Sequence, residues 1–227
     1  MIILIFLFET LINNWYLVIL FFTVALLYAS VGFGGGSSYL AILALSSIAF
    51  TEMRAIALFC NMVVVTGNVF LFYKEKIIDF KKIIPLITFS IPMAYIGGYI
   101  KITEQLFFIL LGFTLLFAAI TMWISKKITS EKEMTNHSNF LKNSGFGGLI
   151  GFISGMVGIG GGIFLSPLLH LTNWDTPKKI AATSSVFILV NSLAGIGGQL
   201  SNPNFTVNWY LTLLLLIAVF IGGQIGN

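Results

Sequence analysis

The chain has 227 residues, of which 57% are apolar and only 9% charged, and its formal net charge is +4. Soluble domains carry about a quarter charged residues, so too little polar surface would remain to keep a soluble globular protein dispersed. The positive charge is not a nucleic-acid footprint either. Eight of the twelve basic residues fall in two loops, at Lys74, Lys76, Lys81 and Lys82 and at Lys126, Lys127, Lys132 and Lys142, where basic residues between apolar spans read as cytoplasmic anchors.

Residues 1–8 are apolar but lack a basic start, which argues against a cleaved signal peptide. Then come stretches without one Asp, Glu, Lys or Arg: 15–50, 55–73, 83–100, 105–125, 143–174 and 180–227. Roughly 18 or more such residues suffice to cross the ~30 Å hydrocarbon core as helix. Strand alternation is absent, and backbone groups in lipid must be bonded within their own segment, so the spans are predicted to be helical. Cys60 lies alone inside one of them and cannot build a disulfide or thiolate metal site within one chain.

The chain repeats itself. Val31-Gly32-Phe33-Gly34-Gly35-Gly36 matches Val157-Gly158-Ile159-Gly160-Gly161-Gly162. Each copy leads through an apolar stretch to a helix-start signal, Thr51-Glu52-Met53-Arg54 in one half and Thr176-Pro177-Lys178-Lys179 in the other. Ile96-Gly97-Gly98 likewise matches Ile221-Gly222-Gly223. The expected organisation is a first transmembrane repeat over 1–125, a polar cytoplasmic connector over 126–144 containing His137, and a second repeat over 145–227. The span at 105–125 has no counterpart in the second half. The alternatives are a naturally shortened protein and a fragment; the uncovered flank that an unpaired span would leave favours a fragment.

Three adjacent glycines cost a helix ~1 kcal/mol each relative to alanine, so two copies in register suggest a use. The order Gly34-Gly35-Gly36-Ser37-Ser38 reads as a broken helix whose second piece starts at the serines. Gly160-Gly161-Gly162 leads similarly into Ile163 and Pro167. A helix start offers unpaired N–H groups and a positive dipole end, which attract an anion, and paired interrupted segments point to a transporter's site. The competing reading is close helix packing. The lack of a preceding strand and of a following P-loop lysine argues against a nucleotide loop.

Asn61 and Asn68, seven apart, share a face of the helix predicted over 54–73. In the helix predicted over 178–200, Thr183, Ser184 and Ser185 lie near the start, and Ser184, Asn191, Gly195 and Gly198 continue one face. Site lining and interhelical bonding are both open for these groups. No Asp, Glu, Lys or Arg falls inside a predicted span, so neither a metal-cation site nor a buried proton relay is expected. Backbone N–H, hydroxyl and amide groups remain, and these suit an anion. Arg54 and Lys179, at matching helix starts, are candidates for attracting it at a pore mouth, with ordinary boundary anchoring as the plainer role. No nucleophile set or paired carboxylates suggest catalysis, and no cofactor or metal is expected.

Charge placement bears on the number of crossings. If each glycine motif is one broken crossing, loops 74–82, 126–142 and 201–208 share a side, with eight basic residues against four. If each is a hairpin, loops 74–82, 126–142 and 172–179 share it, with ten against two. The positive-inside rule prefers the second count, which also makes the two halves inverted. The predicted fold class is therefore an all-α, polytopic membrane bundle of two inverted repeats with broken helices or hairpins at the glycine motifs.

Ala29-Ser30 with the first motif, Ser154-Gly155-Met156 with the second motif and Pro167, and Lys179-Ile180-Ala181-Ala182-Thr183-Ser184-Ser185 together resemble the TauE/SafE membrane proteins. The resemblance covers nearly the whole chain. It implies an inner-membrane permease for sulfite, sulfoacetate or related sulfur anions. The first motif departs from the pattern in having Ser37-Ser38 and no proline. The leading expectation is a secondary transporter, an exporter, with the small anion and membrane lipid as its partners and self-association open. Uptake of another organic anion, and a non-transporting scaffold, are the alternatives.

Overall fold

Among the described residues the chain forms nine helices and no strand. The computed structural model describes residues 2–128, 140–203 and 205–227; Lys132, His137 and most of the expected connector lie outside them. The helices are α1 (Ile2–Ala29), α2 (Gly36–Ala44), α3 (Phe50–Lys74), α4 (Phe80–Tyr99), α5 (Glu104–Ile128), α6 (Phe140–Val157), α7 (Gly162–Leu171), α8 (Pro177–Leu200) and α9 (Trp209–Gly226). Among the described residues five stretches, in α1, α3, α5, α8 and α9, are long and apolar enough to cross a membrane.

Local sequence sets the helix starts. Thr176 is the N-cap residue of α8 and Pro177 its first position, where a missing N–H costs nothing. Asp79 caps α4 by accepting from Lys81 N–H, and Asn208 caps α9 by accepting from Tyr210 and Leu211. α3 starts earlier than its Thr51 signal: extended Ala49 is the N-cap, and Thr51 sits inside the first turn.

Both glycine motifs turn the chain back on itself. Phe21 of α1 stacks on Tyr39 of α2 with ring centroids 4.6 Å apart, and Tyr28 and Ser38 hydroxyls lie 2.9 Å apart. In the second half, Ile150 of α6 and Leu165 of α7 share one apolar cluster. The two return helices have 9 and 10 residues, about 15 Å at most and about half the hydrocarbon thickness. The largest core cluster joins α1, α2, α3 and α9 around Leu17, Phe21, Leu43, Val64 and Val219.

Contacts at the helix ends fix relative direction. Lys82 pairs with Asp175 at 2.6 Å and Lys178 with Glu75 at 2.9 Å, so loops 74–82 and 172–179 meet. At the opposite end of α3, Asn208 N–H donates to Glu52 at 2.5 Å. α3 and α8 therefore run antiparallel, and loop 201–208 lies away from the other two. For loops 74–82 and 172–179 this is the placement of the hairpin count; most of its third loop, 126–142, lies outside the described residues.

Small residues let backbones touch. On α6, Gly147, Gly151 and Gly155 face the carbonyls of Leu86, Ser90 and Ala94 on α4, each occupying the place of a Cβ. Gly98 of α4 abuts Gly195 of α8, and Gly198 abuts Tyr95. This is the small-residue packing typical of membrane helices, and it gives Gly195 and Gly198 a packing role.

Candidate functional site at the meeting of two helix breaks

The start of each short helix is set by a glycine in a left-handed conformation. Gly35 (φ 83°) precedes α2 and Gly161 (φ 86°) precedes α7, a backbone that side chains oppose. No side chain caps either start, so the first N–H groups of each helix, which have no intrahelical acceptor, are left to whatever lies in front of them.

The two starts lie against each other. A Cβ added at Gly36 would come 2.7 Å from the Ile159 carbonyl, and one at Gly162 would touch the Phe33 ring at 3.8 Å. Asn61 stands between them, twelfth of the 25 residues of α3. Its Nδ2 donates to the Ile159 carbonyl at 2.8 Å, and its Oδ1, fully buried, has no partner among the described residues. Gly34 and Gly36 pack directly on this amide, and a Cβ at Gly160 would lie 2.9 Å from Nδ2 and 2.8 Å from Ser192 Oγ. Further bonds brace the first break: Ser185 Oγ of α8 donates to the Gly32 carbonyl, and Asn68 Nδ2 donates to Phe33 at 3.3 Å.

A cavity of about 430 Å³ opens on this junction. Gly34, Gly35, Gly36, Ser37, Ser38, Asn61, Ile159 and Gly162 border it on one side, and Leu115, Ala118 and Met122 of α5 form the facing wall. Two positive helix ends, with no carboxylate among the described lining residues, make a place where negative charge is favoured; of the Asn61 amide only Nδ2 can face an anion, because the free Oδ1 is an acceptor.

The candidates read from the sequence separate into groups. Gly34, Gly35, Gly36, Ser37, Asn61, Gly160, Gly161 and Gly162 come together at the junction. Ser38 is at its edge, engaged with Tyr28. Asn68 supports the first break from behind. Thr183 and Ser184 are buried in α8, and Ser184 Oγ has no partner. Asn191 is occupied elsewhere: it accepts from Ser90 of α4 at 2.8 Å and donates to Phe187 of its own helix at 2.9 Å, which makes it interhelical glue. Ser192 and Tyr28 join the site without having been singled out. Ser192 follows Asn191 and faces Gly160, a neighbour that helical spacing alone does not select.

The two basic candidates differ. Lys179 is half exposed, 3.6 Å from Asp175. Burial pushes the Asp175 carboxyl up, but the Lys82 hydrogen bond, the Thr176 N–H and the charges of Lys82 and Lys179 outweigh it and hold the group below the ordinary carboxylate value. Arg54 is only 4% exposed. It is one turn inside α3, so the reading that no charge lies within a span is corrected: α3 extends past the predicted start and takes the arginine inside the bundle.

Residues 17–227 match the family described as sulfite exporter TauE/SafE. The chain is 34% identical over 220 residues to "Probable membrane transporter protein y4hK" of Sinorhizobium fredii (strain NBRC 101917 / NGR234), an alignment covering 92% of this chain and 85% of that one. It is 25% identical over 196 residues to "Probable membrane transporter protein YunE" of Bacillus subtilis (strain 168), covering 78% and 71%. No solved structure matches the chain significantly.

Proposed function

Because the chain belongs to the sulfite exporter TauE/SafE family and is thus a multi-pass membrane transporter, we propose that it exports a small sulfur oxyanion, such as sulfite or sulfoacetate, across a bacterial inner membrane. The observation that carries this reading is the convergence of two uncapped helix starts, preceded by Gly35 and Gly161, on the buried amide of Asn61. Half-helix N-termini meeting at mid-depth are how secondary transporters receive anionic groups. The α2 and α7 starts would hold the anion, Asn61 would orient it through the Nδ2 hydrogen not used on the Ile159 carbonyl, and α5 would close the cavity from the side.

The same reading takes the two halves as inverted copies. The antiparallel course of α3 and α8, each following a short return helix, supports it. Inversion would let one arrangement of helices open alternately to either side around a fixed site.

The test is flux in liposomes containing the full chain, with labelled sulfite, sulfoacetate and thiosulfate loaded on either side. Saturable flux of one of them, absent from protein-free liposomes, is expected, and the loading side reports direction. Folded protein that moves none of the three anions in either direction removes the proposal.

A further inference from the structure

Arg54 is the only arginine of the chain, against eleven lysines. It stands seven residues before Asn61, on the same face of α3 and about 10 Å along the helix axis. It also packs on the second glycine motif: a Cβ at Gly158 would lie 2.9 Å from Arg54 Cα. Nη2 reaches the carbonyls of Gly97 and Gly98 at 3.4 Å and of Gly155 at 3.3 Å, all at the long limit of hydrogen bonding, and Nε has no partner among the described residues. A guanidinium carries five donors, so most of its capacity is unused.

Among the described residues no carboxylate compensates this charge. The ion pairs among the described residues do not involve Arg54, and Glu52, two residues earlier, accepts from Asn208 N–H. Its sequence counterpart Lys179 has Asp175. The three carbonyls belong to the last turns of α4 and α6, whose negative dipole ends offset part of the cost. A buried ion without an opposite charge is still expensive, and ionisable groups inside membrane bundles mark ion or substrate paths.

We propose that Arg54 is a second anion-binding group, the fixed countercharge for a small oxyanion on the side of the bundle away from loops 74–82 and 172–179. The anion would be held in the bidentate manner a guanidinium allows, where the guanidinium meets the last turns of α4 and α6, apart from the Asn61 junction. This rests on the anion-transport reading for the class of ligand only; the uncompensated guanidinium is an independent observation.

The test uses the full wild-type chain in liposomes and a small arginine-directed dicarbonyl, methylglyoxal. With one arginine in the chain, mass spectrometry of the peptide containing Arg54 reads the arginine adduct at a single position. Sulfate is the protecting anion, because sulfite itself adds to carbonyl reagents, and chloride at equal ionic strength is the control. Sulfate is expected to slow adduct formation at least threefold, saturably. Equal rates in sulfate and chloride overturn the proposal. So does an Arg54 that the reagent never reaches in protein that carries anion flux. In flux assays, Arg54→Gln should raise KM at least tenfold, and Arg54→Lys should raise it by a smaller but measurable factor, since lysine keeps the charge and loses the bidentate pair. A guanidinium that merely ties α4 to α6 predicts unchanged KM in whatever folds. Protection by sulfate without flux supports this site and removes the transport reading, whereas flux with an unprotected Arg54 does the reverse.

Discussion

Asn61 and Ile159 stand 98 positions apart, yet the Asn61 amide donates to the Ile159 carbonyl at 2.8 Å. Through that bond the middle of α3 holds the second glycine break, while Ser185 of α8 holds the first through the Gly32 carbonyl. Each break is thus fastened by a long helix from the opposite half of the chain, and a movement between the halves reaches both helix starts together.

Asn61→Ala removes one buried hydrogen bond, about 1 kcal/mol of stability, and should lower anion flux at least tenfold. Asn61→Asp keeps the size but sets a carboxylate in front of two helix starts. There it would occupy the place of the anion, and flux should vanish while the fold persists. Flux and melting temperature measured on the same preparations decide the matter. An Asn61→Asp variant transporting as well as Asn61→Ala would show that no anion approaches this amide.

Loops 74–82 and 172–179 meet through Lys82–Asp175 and Glu75–Lys178, and 201–208 lies at the other end of α3. Basic loops stay in the cytoplasm, so a cysteine at Lys76 should resist a membrane-impermeant maleimide in intact cells, and one at Pro203 should react. Background is low because Cys60, the single native cysteine, is buried. Labelling of Lys76→Cys from outside would invert the orientation.

Asp175 joins Lys82, Lys179 and the Thr176 N–H. Its carboxyl is held below the ordinary value, so the charged form stabilises the fold. That contribution is complete above the unfolded carboxylate pKa and is lost as pH falls through the lower folded one. Asp175→Asn should cost about 1.5–3 kcal/mol at pH 7, the range for hydrogen bonds to charged groups. The gap from wild type should close below the usual carboxylate range. Thermal melts at pH 7 and pH 3 test this, and a gap that stays constant would mean that the pair contributes nothing.

The spans and the motifs were legible in the sequence because lipid leaves few alternatives: long uncharged runs must be helix, and triple glycines must interrupt it. The hairpin at each motif was legible through lysine placement. The site was legible only in part. Asn61 and Asn191 look alike as asparagines in apolar helices, yet one meets both breaks and the other bonds Ser90 of α4. Which face of α8 meets α4 depends on the glycine contacts of α6 and α8 across α4, a tertiary fact with no local signal. Arg54 misled for a different reason. A charge four residues after a helix start reads as a boundary residue unless the helix is known to begin inside the bundle.

Three glycines that look alike in composition should have three different fates. Gly112 of α5 has nothing within 4 Å of an added Cβ, so Gly112→Ala should stabilise the helix by up to ~1 kcal/mol. Gly151 of α6 faces the backbone of Ser90, whose Cα would lie 2.7 Å from a Cβ. Backbone cannot step aside, so Gly151→Ala should force α4 and α6 apart, cost about 1–3 kcal/mol and reduce folded yield and flux together. Gly161 combines a φ of +86° with a Cβ site 2.8 Å from the Phe187 ring. Gly161→Ala should cost a similar amount through the left-handed backbone, about 1–2 kcal/mol. It differs from Gly151→Ala in what happens to the molecules that fold. A changed φ at the N-cap re-aims the first N–H groups of α7, so flux per folded molecule should fall at least tenfold. In Gly151→Ala, flux per folded molecule should stay within about twofold of wild type. Normalising flux to folded protein separates the two classes. If Gly161→Ala loses flux only in step with folded yield, the second break is a packing device and the anion binds elsewhere.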